Sequence, residues 1–464
     1  MGTEFNPIGT TLRTDDEEED ESKLEYALTY TKKLKGKGHE LVGDIRFQDN
    51  VEKESSDFLE TYFDPDMNPT NRENLFQRSA NEEGERRLIT RLDYTRPFGK
   101  KEKLELGYQG SFRMINNDYK VEELVNGEYQ SLPNLTNEFN YDENIYGVYA
   151  TYGNKINKFS FSVGARVEHS DVRTELVNND SINARNYTNL FPSAFVAYEL
   201  GSGNSIQVSY SRRVRRPRFW DLNPFFTFSD ARNQFSGNPN LDPEFTDSYE
   251  LGHVKIWEKG SLSSAIFYRH TTDVIARIVT SQVADTTFRR PENLTTQDDI
   301  GLEFTFSYNP VKWVQFNGDV NLFRSVTDGS NLGDAFQADT YTARGRLTTR
   351  GTIRKKTDVQ IRLNYRAPRE TTQGRDKSIT FLDLGLSHDV FNNNGTITFN
   401  VSDLFQSRRR RSIIETENFY REDDFQWRGR TFRLTLNYRL NQKNQRGRGS
   451  RRGGGGNYGG GEEF

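Results

Sequence analysis

Much of the chain alternates between apolar and polar residues with a period of two, the pattern of a strand with one greasy and one wet face. In the last such segment Phe432, Leu434, Leu436, Tyr438 and Leu440 share one side, and Arg433, Thr435, Asn437 and Arg439 the other. Phe159, Phe161, Val163, Ala165 and Val167 oppose Ser160, Ser162, Gly164, Arg166 and Glu168. Ile300, Leu302, Phe304, Phe306 and Tyr308 oppose Gly301, Glu303, Thr305, Ser307 and Asn309. Val359, Ile361, Leu363 and Tyr365 oppose Gln360, Arg362, Asn364 and Arg366. Arginines on the second face would be costly against lipid but cost little in a wet lumen.

Extended along the chain, the pattern predicts about 17 strands, most of them long enough for the roughly 9–11 residues that cross a bilayer at a tilt. They fall near 23–34, 38–50, 86–98, 102–119, 141–154, 157–170, 187–200 and 203–213. The rest fall near 245–258, 261–280, 294–309, 312–326, 338–350, 357–368, 376–390, 394–402 and 425–440, with alternation breaking at Phe381-Leu382. Short connections such as Gly99–Lys101, Asn154–Asn157 and Lys259–Gly260 alternate with longer ones near 50–85, 120–140, 171–186, 214–244, 281–293, 327–337, 369–375 and 403–424. Short periplasmic turns and long extracellular loops would produce that sorting. Tyr30, Phe98, Phe159, Tyr198, Trp257, Tyr308, Trp313 and Tyr438 sit beside the short turns and read as an interfacial aromatic girdle. The fold expected is all-β: an antiparallel transmembrane β-barrel.

Composition supports this once the wet face is allowed for. Mean hydropathy is −0.87, and no apolar run approaches the ~18 residues of a membrane helix. Aromatics, with 33 Phe and 22 Tyr, are too abundant for a disordered chain. Cys is absent, which excludes a disulfide framework and thiolate metal sites. Net charge is −4, with no bias toward nucleic acid. Residues 1–22 lack an export signal and carry the acidic run Asp15 to Asp20, so they read as an acidic extracellular loop or truncated start. Residues 23–440 form the barrel domain, and 441–464 a Gly/Arg-rich flexible tail on the periplasmic side. An odd strand count ending in the periplasm starts the chain on the outside, within an extracellular loop.

Catalytic motifs are absent: there is no Gly-x-Ser-x-Gly, P-loop or dinucleotide fingerprint, and His39, His169, His253, His270 and His388 show no metal-ligand spacing. No enzyme activity, cofactor or metal is expected. The densest candidate for ligand binding is Arg212, Arg213, Arg215, Arg216, Arg218 and Trp220, leading into a loop with Phe225, Phe226, Phe228 and Phe235. Guanidinium groups beside aromatic faces grip anionic or planar ligands. The structural alternative is that these arginines pair with carboxylates of neighbouring strands while the aromatics fold the loop onto itself. Arg408 to Arg411 reads as surface charge, facing outer-membrane lipid and lipopolysaccharide.

Tyr210-Ser211-Arg212-Arg213, Pro217 and Trp220-Asp221-Leu222-Asn223-Pro224-Phe225 lead into Ser236-Gly237-Asn238-Pro239-Asn240-Leu241-Asp242-Pro243-Glu244 and Ser248-Tyr249-Glu250-Leu251-Gly252. With Asn400-Val401-Ser402-Asp403-Leu404-Phe405 near the end, this chain resembles the TonB-dependent receptor superfamily, in its outer-membrane β-barrel branch. The resemblance implies a barrel of about 22 strands closed by a plug, of which this chain would supply the C-terminal portion without plug or signal peptide. It also implies import of a nutrient or metal chelate, with the TonB complex engaged only through the plug region. A second reading is a structural or surface-assembly barrel without energised transport, acting with a surface lipoprotein. A third, of another class, is a soluble β-rich extracellular adhesin.

Overall fold

The computed structural model describes residues 8–440 apart from 225–232, 284–285, 334, 355 and 418. One sheet has 19 strands, of which Glu128–Ser131 and Asn233–Phe235 are short loop strands, the latter pairing in parallel and all others antiparallel. The other 17 form a continuous wall, each strand paired to the next in sequence. They are β1 Thr10–Lys33, β2 Glu40–Phe63, β3 Leu75–Phe98, β4 Glu102–Val125, β5 Asn137–Ile156, β6 Phe159–Leu176, β7 Ser181–Gly201 and β8 Asn204–Arg215. After the longest loop follow β9 Glu244–Trp257, β10 Gly260–Val283, β11 Thr286–Val311, β12 Val314–Asp328, β13 Gln337–Ile353, β14 Thr357–Arg366, β15 Ile379–Val390, β16 Gly395–Ser402 and β17 Thr431–Tyr438. Among the described residues β1 pairs with β2 alone and β17 with β16 alone, so the wall has two open edges.

Because residues opposite one another in an antiparallel pair share a face, the register joins the alternating strands into rows. Val196, Val208, Leu251, Ile266, Leu302 and Leu322 stand in one row across six strands, all exposed on the outer face. The residues predicted as a girdle are all exposed too, with Trp257 against Tyr308 (6.4 Å between ring centres) and Phe159 against Tyr198 (5.2 Å). A second aromatic row lies toward the loop end, where Tyr210, Tyr249 and Tyr268 follow one another at 5.0 and 6.2 Å. Tyr249 and Trp257 are eight residues apart on β9. That separation is ~27 Å along a strand, or ~20 Å of membrane thickness at a tilt of ~40°. An apolar belt between two aromatic rows is what a bilayer requires of the outer surface of a barrel.

The strands outrun this belt at the loop end. Segments 171–186 and 281–293 read as loops in the sequence, yet the ladders of β6 with β7 and of β10 with β11 run nearly to their tips. Beyond the lipid neither face needs to be apolar, so alternation fades while backbone hydrogen bonding continues. For the same reason β1 starts at Thr10 rather than near 23, and its acidic run lies in a strand opposite Lys53–Phe58. The predicted 425–440 strand is shorter, 431–438, because Tyr420–Phe425 belongs to a separate four-stranded sheet with Arg369–Thr371, Gly374–Asp376 and Arg410–Glu415. At the turn end Gly203 has φ +73, and a Cβ there would collide with the Ile256 carbonyl. The tail 441–464 lies outside the described residues.

Candidate functional site

The described parts of the loop between β8 and β9, 216–224 and 233–243, fold inward. Phe219–Leu222 forms a single helical turn whose Phe219 and Leu222 pack with Leu241 against Ile115, Phe139 and Tyr141. Ile115 and Tyr141 face each other across β4 and β5, on the side opposite exposed Met114, which makes theirs the lumenal face. Phe219 touches Phe139 and Tyr141 with ring centres 5.5 and 6.1 Å apart. Apolar side chains on a lumenal face would be out of place if the loop did not cover them.

The Ser236 to Glu244 motif has a physical role in this docking. Gly237 N–H donates to the Asn223 carbonyl at 2.7 Å and Asn238 N–H to the Asp221 carbonyl at 2.6 Å. A Cβ on Gly237 would collide with the Asn223 and Trp220 carbonyl oxygens, so only glycine permits this approach. Buried Asn238 donates to the Pro291 carbonyl (3.2 Å) and Glu292 (2.9 Å), and accepts from Arg290 (3.0 Å). Arg185 of β7 donates to the Leu241 and Asn240 carbonyls, both at 2.7 Å. The motif therefore clamps the loop to β7 and β11.

The six residues singled out in the sequence do not converge on one pocket. Arg212 is on the outer face with its guanidinium 5.3 Å from the Phe245 ring centre, whereas Arg213 and Arg215 alternate inward. Arg215 pairs with buried Glu244 at 2.5 Å. Arg216 donates to Glu168 at 2.6 Å and Ser170 at 2.9 Å, and Glu168 also accepts from Arg166 at 2.5 Å. These are the carboxylate pairings of the structural alternative. Arg218 starts the helical turn, its carbonyl accepting from Asp221 N–H at 3.0 Å, and Trp220 is exposed. Phe225, Phe226 and Phe228 lie outside the described residues; Phe235 sits beneath the Arg277 guanidinium at 5.5 Å.

Alternation had marked Arg366 as wet-facing, but it could not show what stands opposite. The register puts Arg344 of β13 directly across from it, both on the lumenal face. Arg366 and Arg369 share the carboxylate of buried Asp376, at 2.9 and 2.8 Å. Arg410, from the basic run read as surface charge, is close enough to repel Arg366, while Arg408 lies 5.1 Å from the Phe381 ring centre and Arg409 pairs with Asp424 at 3.6 Å. The histidines are dispersed: His39 bonds Tyr94, His169 bonds Thr188, His270 bonds Asp298 and His388 bonds Thr357.

A model of the outer membrane protein beta-barrel family matches residues 32–438. No curated protein sequence matches the chain. Solved structures do. The ferric yersiniabactin uptake receptor FyuA from Yersinia pestis is 14% identical, with a TM-score of 0.52 over 92% of this chain and 69% of its own. The copper transporter OprC is 12% identical, with a TM-score of 0.54 over 94% of this chain and 76% of its own. The siderophore receptor PiuA from Acinetobacter baumannii is 11% identical, with a TM-score of 0.56 over 90% and 74%. At these identities the likeness is one of fold.

Proposed function

Since the chain belongs to the outer membrane protein β-barrel family, we propose that it binds a ligand at its loop end and serves in that ligand's import across the outer membrane. The observation that carries this reading is the inward docking of 216–224 and 233–243 against the lumenal face, with the Arg216–Glu168 pair beside the packed Phe219 and Leu222. Receptors and transporters of the same fold, among them a ferric yersiniabactin receptor, a copper transporter and a siderophore receptor, support a binding and transport role over an enzymatic one. The exposed Arg213, Arg218 and Trp220 are the members of the sequence candidate best placed to meet a ligand. The nutrient or metal chelate is the cargo. Any energy from the TonB complex would enter through a plug, which is not among the described strands.

In intact cells, deleting the encoding gene should lower accumulation of at least one of ferric citrate, a ferric hydroxamate and copper several-fold, with permeability to a hydrophobic dye unchanged. Unchanged uptake of all three together with a leaky membrane would favour the surface-assembly role. Orientation is part of the proposal: the loop end faces outward and the short turns, with the C-terminal tail, face the periplasm. The chain has no cysteine of its own, so a single introduced one reports cleanly. Asp66→Cys, in the exposed 64–74 loop, should react with a membrane-impermeant maleimide on whole cells, and Lys100→Cys, in the 99–101 turn, should not. The opposite labelling pattern inverts the topology.

A further inference from the structure

The lumenal wall where β13 and β14 end carries more positive charge than its own carboxylates neutralise. Arg344 and Arg366 face each other across the ladder, an arrangement that is normally avoided because like charges directly opposite repel. Above them the small loop sheet brings Arg369, and Arg410 reaches in from the 410–415 strand. The carboxylates that act on the facing pair are Asp376, beside Arg366, and Asp299, farther off from Arg344. Asp376 is shared between Arg366 and Arg369. Arg344 has no carboxylate within 4.0 Å among the described residues, and its guanidinium carbon stands 5.9 Å from the Phe323 ring centre. The Nε of Arg366 is buried with no hydrogen-bond partner. Arg369, Arg344 and Arg410 all repel Arg366.

Besides the Arg366–Asp376 pair, uncharged contacts hold the loop sheet in place. Gln373 exchanges two hydrogen bonds with the Val279 backbone, at 2.8 and 2.7 Å, and Glu370 N–H donates to Thr340 at 3.1 Å. The sheet therefore keeps Arg369 near Arg344 and Arg366 through contacts in addition to the shared Asp376 carboxylate. Guanidinium groups in such a cluster present paired N–H donors with the geometry of a carboxylate or phosphate.

We propose that Arg344, Arg366 and Arg369, with Arg410 above them, form a binding site for a small multiply charged oxyanion, a polycarboxylate or phosphate-bearing molecule. The site specifies the chemical class of cargo and so rests on the import reading, but its test is a binding measurement that does not require transport. The purified chain in detergent micelles at low ionic strength is titrated calorimetrically with citrate and, separately, with inorganic phosphate. Citrate should bind, and Arg344→Gln and Arg366→Gln should each weaken it at least tenfold, while Arg354→Gln at the opposite, turn end leaves it unchanged. Binding of citrate alone assigns the site to carboxylates, and binding of both assigns it to oxyanions generally. If neither ligand binds, or if the two lumenal variants bind as tightly as the parent, the proposal is overturned. A stability measurement covers the case of a damaged fold. Without ligand, Arg344→Gln should raise the thermal midpoint because it relieves repulsion, and a lowered midpoint would mean that Arg344 is a structural residue instead.

Discussion

Phe304→Arg should block membrane insertion, while Thr305→Arg, one residue on, should be accepted. Phe304 lies on the outer face of β11, midway between Ile300 in the loop-side aromatic row and Tyr308 beside the turn. A guanidinium there sits near the bilayer midplane, where arginine on the lipid face of a barrel costs about 2–4 kcal/mol. The total stability of such a sheet is of the same order as a few such losses. Thr305 points the other way, exposed to the lumen and opposite Asp319 of β12, so an arginine there stays hydrated and has an anion at hand. Heat-modifiable mobility of the membrane fraction on gels reports folded, inserted protein. Equal yields of the two variants would mean that the faces have been assigned the wrong way round.

The second large effect is expected at Glu168. Its carboxylate lies between Arg166 and Arg216, and both Glu168 and Arg216 are largely buried, at 11% and 18% side-chain exposure. Glu168→Ala leaves two guanidinium groups facing each other without their shared anion, which costs about 3–5 kcal/mol when the remaining charge is buried. Arg216 is the entry to the inward loop, so the loss should appear as undocking of 216–223 and not as unfolding of the wall. Hydrogen exchange at Asn223, Gly237 and Asn238, whose amides bond within the docked loop, should accelerate by at least a hundredfold, with the amides of β9 to β12 unchanged. Protection that persists in the variant would show that the apolar contacts of Phe219 and Leu222 hold the loop unaided.

How much of this was legible beforehand depends on which solvent each segment meets. Between the aromatic rows one face must be apolar, so alternation located the strands and identified Arg362 and Arg366 as wet-facing. Outside the membrane that constraint lifts. The acidic run Asp15 to Asp20 therefore looked like a loop although it pairs residue for residue with β2. The four-stranded loop sheet went unseen because Arg369–Thr371 and Gly374–Asp376 are three residues each, too short to show a period. In the 212–220 segment the sequence showed the density of arginine and aromatic residues but not their partners. Glu168 is 48 residues from Arg216, and only the register of β6 with its neighbours brings them together. Arg344 opposite Arg366 is a similar case, since a shift of one residue in pairing would send one of them into lipid.

The two free rims of the wall differ in kind. Among the described residues β17 presents an edge eight residues long and β1 one of 24, with the backbone groups of every second residue directed outward. Hydrocarbon leaves no peptide group without a partner, so among the described residues these two margins are where the wall is open to a pairing strand. The margin at β1 is also selective, because Asp15, Glu17, Glu19 and Glu21 all project to its wet side above the greasy residues Leu24, Tyr26, Leu28 and Tyr30. Whatever docks there must be oily below, and lysine- or arginine-rich above, for its full length to mate.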